Sequence, residues 1–451
     1  MKRHVLLSAA LCAAAACSDT PQVNLGGNYA VATVVPPVEN HQIDLLFVVD
    51  NSGSMLDNQA QVAARAQSAL FDVIDHAVGG QPDLHVGVVT TDIGAGGFDI
   101  PGCEGTGDDG QLQIIQNAEG AACGGLTDHY IIDEAAPGGG RQTNYQGTLA
   151  DVFSCQVQVG SPGCGFEQPL AAVERAISGD VPVNAGFLRP DALLVVVVIT
   201  DEDDCSANLG LFDPDDATLG PLASYRCFAH AMVCDEPDLS APGPKTNCHP
   251  DENAPLMHPL QQTVDALIAA KGGDATKVMF AAIAAPTEPV ESTLQPGFDP
   301  PHVELGASCV DPNGDSASPA IRLEKLLHAF PGHSWFESIC GDVDPALRHT
   351  ANLVGDVAAR RACLRGSFKD TDAAAPGVQP SCRAFLGAKP FAPDAQLTEL
   401  RPCDGADDSG PCFSLVADTA QCGDDAALGL RADARNVDAG DRSLVVQCLN
   451  P

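Results

Sequence analysis

Asp50, Ser52 and Ser54 stand at alternate positions in the run Asp50-Asn51-Ser52-Gly53-Ser54, directly after the apolar stretch Ile43 to Val49. Three oxygen-bearing side chains on one tight loop, with Gly53 easing the turn, can converge on a single point. Such a point suits a hard divalent cation, magnesium or calcium, which takes oxygen ligands and, in the case of magnesium, retains several waters. A second apolar stretch, Leu193 to Ile199, ends in Thr200-Asp201. If both stretches are parallel strands, their loops leave the sheet at the same edge and Asp201 faces the Asp50 loop. The bare turn could instead use its Asp and Ser side chains to cap a helix, but a second aspartate at a second strand end favours the cation. Asp201-Glu202-Asp203-Asp204 sets four acids in a row, and a nearby cation relieves their repulsion. Glu202 and Asp203 are therefore expected at the rim of the site. Asp92, beyond the strand ending at Val89, is a further rim candidate, although a simple turn is the plainer reading.

The elements that must hold these residues follow from periodicity. Ile43 to Val49 and Leu193 to Ile199 are almost unbroken apolar runs, the mark of strands covered on both faces. Leu84 to Val89, Val278 to Ile283 and Trp335 to Ile339 read as further strands. Between them, Val62, Ala66, Ala69, Leu70, Val73 and Ala77 recur at helical spacing, as do Leu170, Val173 and Ile177, then Leu260, Val264, Leu267 and Ile268. Ile321 to Phe330 reads as another helix, and Asp344-Pro345 opens a last one, with Asp344 as its cap. Alternating strands and helices predict an α/β fold built on a doubly wound, mostly parallel central sheet. Stretches of about 93–165, 205–256 and 286–318, rich in Gly, Pro and Asp, interrupt this scaffold as long insertions.

Composition sets the compartment. Lys2 and Arg3 precede an apolar run from Val5 to Ala16, the order of a secretory signal, and small residues lead into Cys17, the expected lipidation site. Residues 1–17 are thus a lipoprotein signal with its anchor cysteine, 18–40 a linker, 41–360 the main domain, and 361–451 a small cysteine-rich module. Apart from Cys12 and Cys17, sixteen of the eighteen cysteines remain, falling in even groups of four, four, two and six. In an exported chain that pattern predicts disulfides, mostly local. Without Lys2 and Arg3 the chain has 21 basic residues against 60 acidic ones, a net charge of −39. Such a surface repels nucleic acid and anionic lipid, leaving the lipid anchor as the expected link to the membrane. An acidic turn at Asp404 to Asp408 could hold calcium, but a solvated turn is the plainer reading.

The segments VVDNSGSM and VVVITDEDD resemble the metal-ion-dependent adhesion site of the von Willebrand factor type A (vWA) domain, over roughly residues 41 to 358. The resemblance implies that Ser52 and Ser54 bind the metal directly and that Asp50 and Asp201 act through bound water. It also implies a partner carboxylate that completes the coordination. The family places a threonine in the turn before the helix that starts near Pro169, and here the turn Gly160 to Glu167 has none. Ser161 or Glu167 is the expected substitute, and Glu167 brings an extra negative charge to the metal.

No G-x-S-x-G, H-E-x-x-H or G-x-x-x-x-G-K pattern occurs, so enzymatic chemistry has little support. The expected protein is a cell-envelope lipoprotein of the outer membrane, facing the periplasm or the surface. Through magnesium or calcium it binds an acidic group of a protein or polysaccharide partner. A scaffold stabilised by the ion is the alternative, and a metal-dependent hydrolase the less favoured one.

Overall fold

Unbroken apolar runs become strands here because helices cover them on both sides. The computed structural model describes residues 28–116, 120–297, 301–372, 374, 378–392, 394–403, 410–422, 429–438 and 440–451. The signal segment with Cys17 and the acidic turn Asp404 to Asp408 lie outside the described residues.

A first strand, β1 (Tyr29–Val35), is followed by β2 (Gln42–Val49), β3 (Asp83–Thr90), the hairpin β4 (Ile131–Ala135) and β5 (Arg141–Thr143), and β6 (Leu193–Ile199). Then come β7 (Val278–Ala284), β8 (Val290–Gln295), β9 (His302–Leu305) and β10 (Ser334–Ser338). A seven-stranded sheet has the order β10-β7-β6-β2-β3-β4-β5, parallel as far as β3 and antiparallel at both pairings beyond it.

Helices α1 (Leu56–Arg65) and α2 (Asp72–Val78) are joined by a π-helical stretch, Ala66–Phe71. Further along are α3 (Leu149–Gln156), α4 (Pro169–Ile177), α5 (Tyr225–Ala231), α6 (Leu260–Ala270), α7 (Ile321–Leu327) and α8 (Val343–Ala358). Leu45, Phe47 and Val49 of β2 pack with Val62, Leu70, Phe153 and Val354 on one face. Leu46 and Val48 pack with Leu170, Val173 and Leu267 on the other. The N-cap of α8 is Asp342, whose carboxylate accepts from the Asp344 amide at 3.0 Å, so the expected cap lies two residues too late.

The expected doubly wound, mostly parallel sheet with a small appended module is corrected. The chain is a mixed α/β structure with several sheets, and antiparallel pairing is prominent. A second large sheet is built from β1 with β11 (Cys382–Gly387), β12 (Thr398–Pro402), β13 (Cys412–Ala417), β14 (Leu430–Arg435) and β15 (Ser443–Leu449). Its order is β1-β15-β11-β12-β13-β14, antiparallel except between β12 and β13. Strand β1 lies inside the expected linker, where Pro36-Pro37 obscures the alternation of the preceding residues. Its Ala32, Val34 and Val35 are buried. The insertions also contribute sheet: β4 and β5 come from the first, and β8 pairs with β9 and with Gly243–Lys245 in a three-stranded antiparallel sheet. These strands are too short to leave a periodic trace in the sequence.

His333, fully buried, sets one ring nitrogen 2.9 Å from the Val34 carbonyl and the other 3.3 Å from that of Val278, tying the two large sheets together. Eight disulfides, Cys103–Cys164, Cys123–Cys155, Cys205–Cys227, Cys234–Cys248, Cys309–Cys340, Cys363–Cys422, Cys382–Cys448 and Cys403–Cys412, each join cysteines of one sequence group. Such a framework belongs to a chain exported to an oxidising compartment. Among the described residues no helix is long and apolar enough to cross a membrane.

Candidate metal centre

Three adjacent strands end level with one another. Val49 of β2 is in register with Thr90 of β3 and with Ile199 of β6. Asp50, Thr91 and Thr200 therefore leave the sheet at one edge, which is how residues 150 positions apart come together. The Asp50 amide donates to the Ile199 carbonyl at 3.0 Å, and the Thr200 hydroxyl donates to Asp50 Oδ2 at 2.7 Å. Asp50 Oδ1 accepts from the Ser52 amide at 2.7 Å, which folds the loop back on itself. Ser52 and Ser54 point the same way, with hydroxyl oxygens 3.1 Å apart. Ser54 is exposed, so the cluster is open to solvent on that side.

The turn before α4 is fastened to this loop. Gln59 donates to the carbonyls of Asp50 (2.9 Å) and Gly160 (2.8 Å) and accepts from the Gly160 amide. The Gly163 amide donates to the Asn51 carbonyl at 2.9 Å. A Cβ at Gly163 would lie 2.1 Å from Asn51 Oδ1, so a larger residue there would displace the Asn51 side chain. The turn delivers Glu167, 1% exposed, to the cluster, where the Thr91 hydroxyl donates to its Oε2. Of the two expected substitutes for the family threonine, Glu167 is buried beside Thr91 and Ser161 is exposed.

The carboxyl groups of the cluster are all shifted upward. Burial is the main cause that raises the Asp50 carboxyl, opposed by the hydrogen bonds from the Ser52 amide and the Thr200 hydroxyl. Asp201, 7% exposed, is pushed up to about 7, by burial first and then by the charge of Asp50, with the Ser54 hydroxyl opposing. Glu167 is raised well above the carboxylate range by burial, then by Asp50 and Glu202. Glu202 is pushed up to about 8 by burial, then by Asp201, Asp50 and Glu304. Two oxygens in this cluster, Asp201 Oδ1 and Glu167 Oε1, are buried without a hydrogen-bond partner. Close, buried carboxyls of this kind are relieved either by retained protons or by a cation. Their hard-oxygen donors, with the Ser52 and Ser54 hydroxyls, match magnesium or calcium. Among the described residues no group of three or more His, Cys, Asp or Glu is arranged to hold a metal ion.

Asp50, Ser52, Ser54, Asp201, Glu167 and Glu202 are thus brought together, whereas two rim candidates are not. Asp203 accepts from the Arg322 and Leu323 amides at 2.9 and 3.2 Å, serving the N-terminus of α7. Asp204 takes the Arg322 guanidinium at 3.0 Å. One acid of the quartet is thus paired with an arginine 118 residues away, a cation that the local sequence does not contain, while burial still pushes Asp203 up to about 7. Asp92 accepts from the Gly94 amide at 2.8 Å and feels Asp108 and Glu104; burial pushes it up to about 6. It belongs to a turn. Thr91, Thr200 and Gln59 were not singled out from sequence, although hydroxyl residues at two strand ends were a visible signal.

No protein-family model matches the chain, and no curated protein matches it. Among solved structures, the pilus adhesin SpaC from Lactobacillus rhamnosus GG in its open conformation is similar at a TM-score of 0.32 and 10% identity, over 92% of this chain and 39% of that one. Proximal thread matrix protein 1 from the mussel byssus is similar at a TM-score of 0.28 and 11% identity, over 74% of this chain and 51% of that one. The chain spans well under two thirds of either structure, and at these scores neither likeness defines its fold or its role.

Proposed function

We propose that the protein is a cell-envelope lipoprotein, anchored through Cys17, whose Asp50–Ser54 loop forms a vWA-like adhesion site. Ser52 and Ser54 hold one magnesium or calcium ion there, Asp50 and Asp201 support it, and the ion binds an acidic group of a protein or polysaccharide partner. The observation that carries this reading is the pair of orphaned buried oxygens, Asp201 Oδ1 and Glu167 Oε1, beside the solvent-facing serine hydroxyls. Calorimetric titration of the chelated full chain with each ion tests it. Uptake by the wild type and loss of uptake in Asp201→Asn and in Ser52→Ala/Ser54→Ala is the expected result. No uptake of either ion would overturn it.

Glu167 favours a second reading, a scaffold in which the ion only stabilises the fold. Its buried carboxylate stands at the cluster in competition with an incoming acid. The two readings separate on Glu167→Gln, assayed with acetate as the probe of the loaded protein. An adhesion site binds acetate in the wild type and more tightly in the variant. A purely structural ion binds it in neither, while chelation still lowers the melting temperature.

A further inference from the structure

Beside the cation cluster, the second and third insertions enclose a cavity of about 270 Å³. Glu202 and Glu304 form its polar side; Tyr225, Phe228, Met232 and Leu305 form its apolar side. The Cys205–Cys227 disulfide runs through the wall and fixes α5 against the loop after β6. Two other acids of that wall are already satisfied, Asp204 by Arg322 and Asp203 by the amides of α7. Among the described residues Glu202 makes no ion pair, and Glu304 has His302 at 3.0 Å as its one neighbour of possible positive charge. Glu304, with 40% of its side chain exposed, stands where the cavity opens to solvent. The rings of Tyr225 and Phe228 lie with centroids 5.6 Å apart. The Tyr225 hydroxyl is spent on the Leu239 carbonyl, leaving its ring face as what it offers a ligand.

We propose that this cavity is a second binding site, for an alkylammonium group such as the lysine side chain of a partner. A group of that kind combines an aliphatic stem, which suits Met232 and Leu305, with a cationic head. The head would meet the carboxyl groups of Glu202 and Glu304, and aromatic faces also attract it. A neutral chain would leave Glu202 and Glu304 unpaired at the cavity wall, and a bare metal ion would leave the apolar wall unused. The site shares Glu202 with the cluster at Asp50 and Asp201, but its cavity, Glu304 and its aromatic wall involve neither Ser52 nor Ser54, so lysine binding in chelator tests it apart from the adhesion reading.

The test uses the full chain in chelator, labelled at its methionine methyl groups, of which there are five to resolve. The probes are Nα-acetyl-lysine methylamide and its neutral counterpart, Nα-acetyl-norleucine methylamide. The expected result is a saturable shift of the Met232 methyl signal with the lysine probe, binding at least tenfold weaker for the norleucine probe, and at least severalfold weaker lysine binding in Glu202→Gln and Glu304→Gln. No shift at Met232, equal binding of the two probes, or lysine binding unchanged in both variants would overturn the proposal. Metal uptake, measured on a separate sample after the chelator is removed, reports on the adhesion reading.

Discussion

Arg322 is 2% exposed, and its guanidinium donates to Asp204 at 3.0 Å and to the His258 carbonyl at 2.8 Å. Removing one partner of a buried pair leaves the other charge uncompensated, at a cost of about 3–5 kcal/mol. Arg322→Met is expected to lower stability by that order in chemical denaturation, and Asp204→Asn added to it to recover part of the loss. Asp201 behaves in the opposite sense. Its folded carboxyl titrates at about 7, above the ordinary value of 3.8, so the folded state holds its proton more tightly than the unfolded chain. Stability from this group is full below about 4 and is lost as the pH rises through 7. In chelator, Asp201→Asn is therefore expected to gain melting temperature over the wild type at pH 8 and to gain little at pH 5. A difference independent of pH would contradict the assigned burial.

At the scale of elements, the site depends on how closely helices approach the sheet. Gly355 of α8 faces Ala77 of α2, and a Cβ at that glycine would come 2.1 Å from the Ala77 Cβ. Because α2 continues from α1, which follows the Asp50 loop, this crossing fixes the whole segment. Gly355→Ala is expected to cost about 1–3 kcal/mol through overpacking, despite the better helix propensity of alanine. Urea denaturation reads the change as a lower midpoint at unchanged slope. A second constraint is Asp44, buried within the apolar run of β2. It pairs with Arg189 at 2.8 Å and with Lys271 at 3.0 Å, and this network anchors the opposite end of the strand from Asp50.

At the scale of the molecule, β1 makes the beginning of the described chain part of its end. It pairs with β15, itself bonded to β11 through Cys382–Cys448. Asp356 of α8 pairs with Arg361 at 3.0 Å and with Arg365, so the junction between the two large sheets is charged as well as packed. Deleting residues up to Val35 removes the buried Val34 and Val35 and uncovers Val445 and Val446, which are now fully buried. At about 1.5–3 kcal/mol for each fully buried valine, the loss is on the order of 3–6 kcal/mol. Limited proteolysis is expected to cut the C-terminal sheet of the truncated chain first. Survival of that sheet at full protection would show that β1 is dispensable.

The sequence by itself determined the central strands, the helical faces between them, the disulfide chemistry and the convergence of Asp50 and Asp201. Each is written in a local pattern: apolar runs, three- and four-residue spacing, even cysteine groups, acids at strand ends. The pairing of Asp204 with Arg322, the docking of Asp203 on the α7 amides, the entry of Glu167 beside Thr91, and the capture of β1 by the C-terminal sheet were decided only in three dimensions. All of these pair groups that are distant along the chain, and no local period records which distant partner satisfies a buried charge or completes a sheet edge.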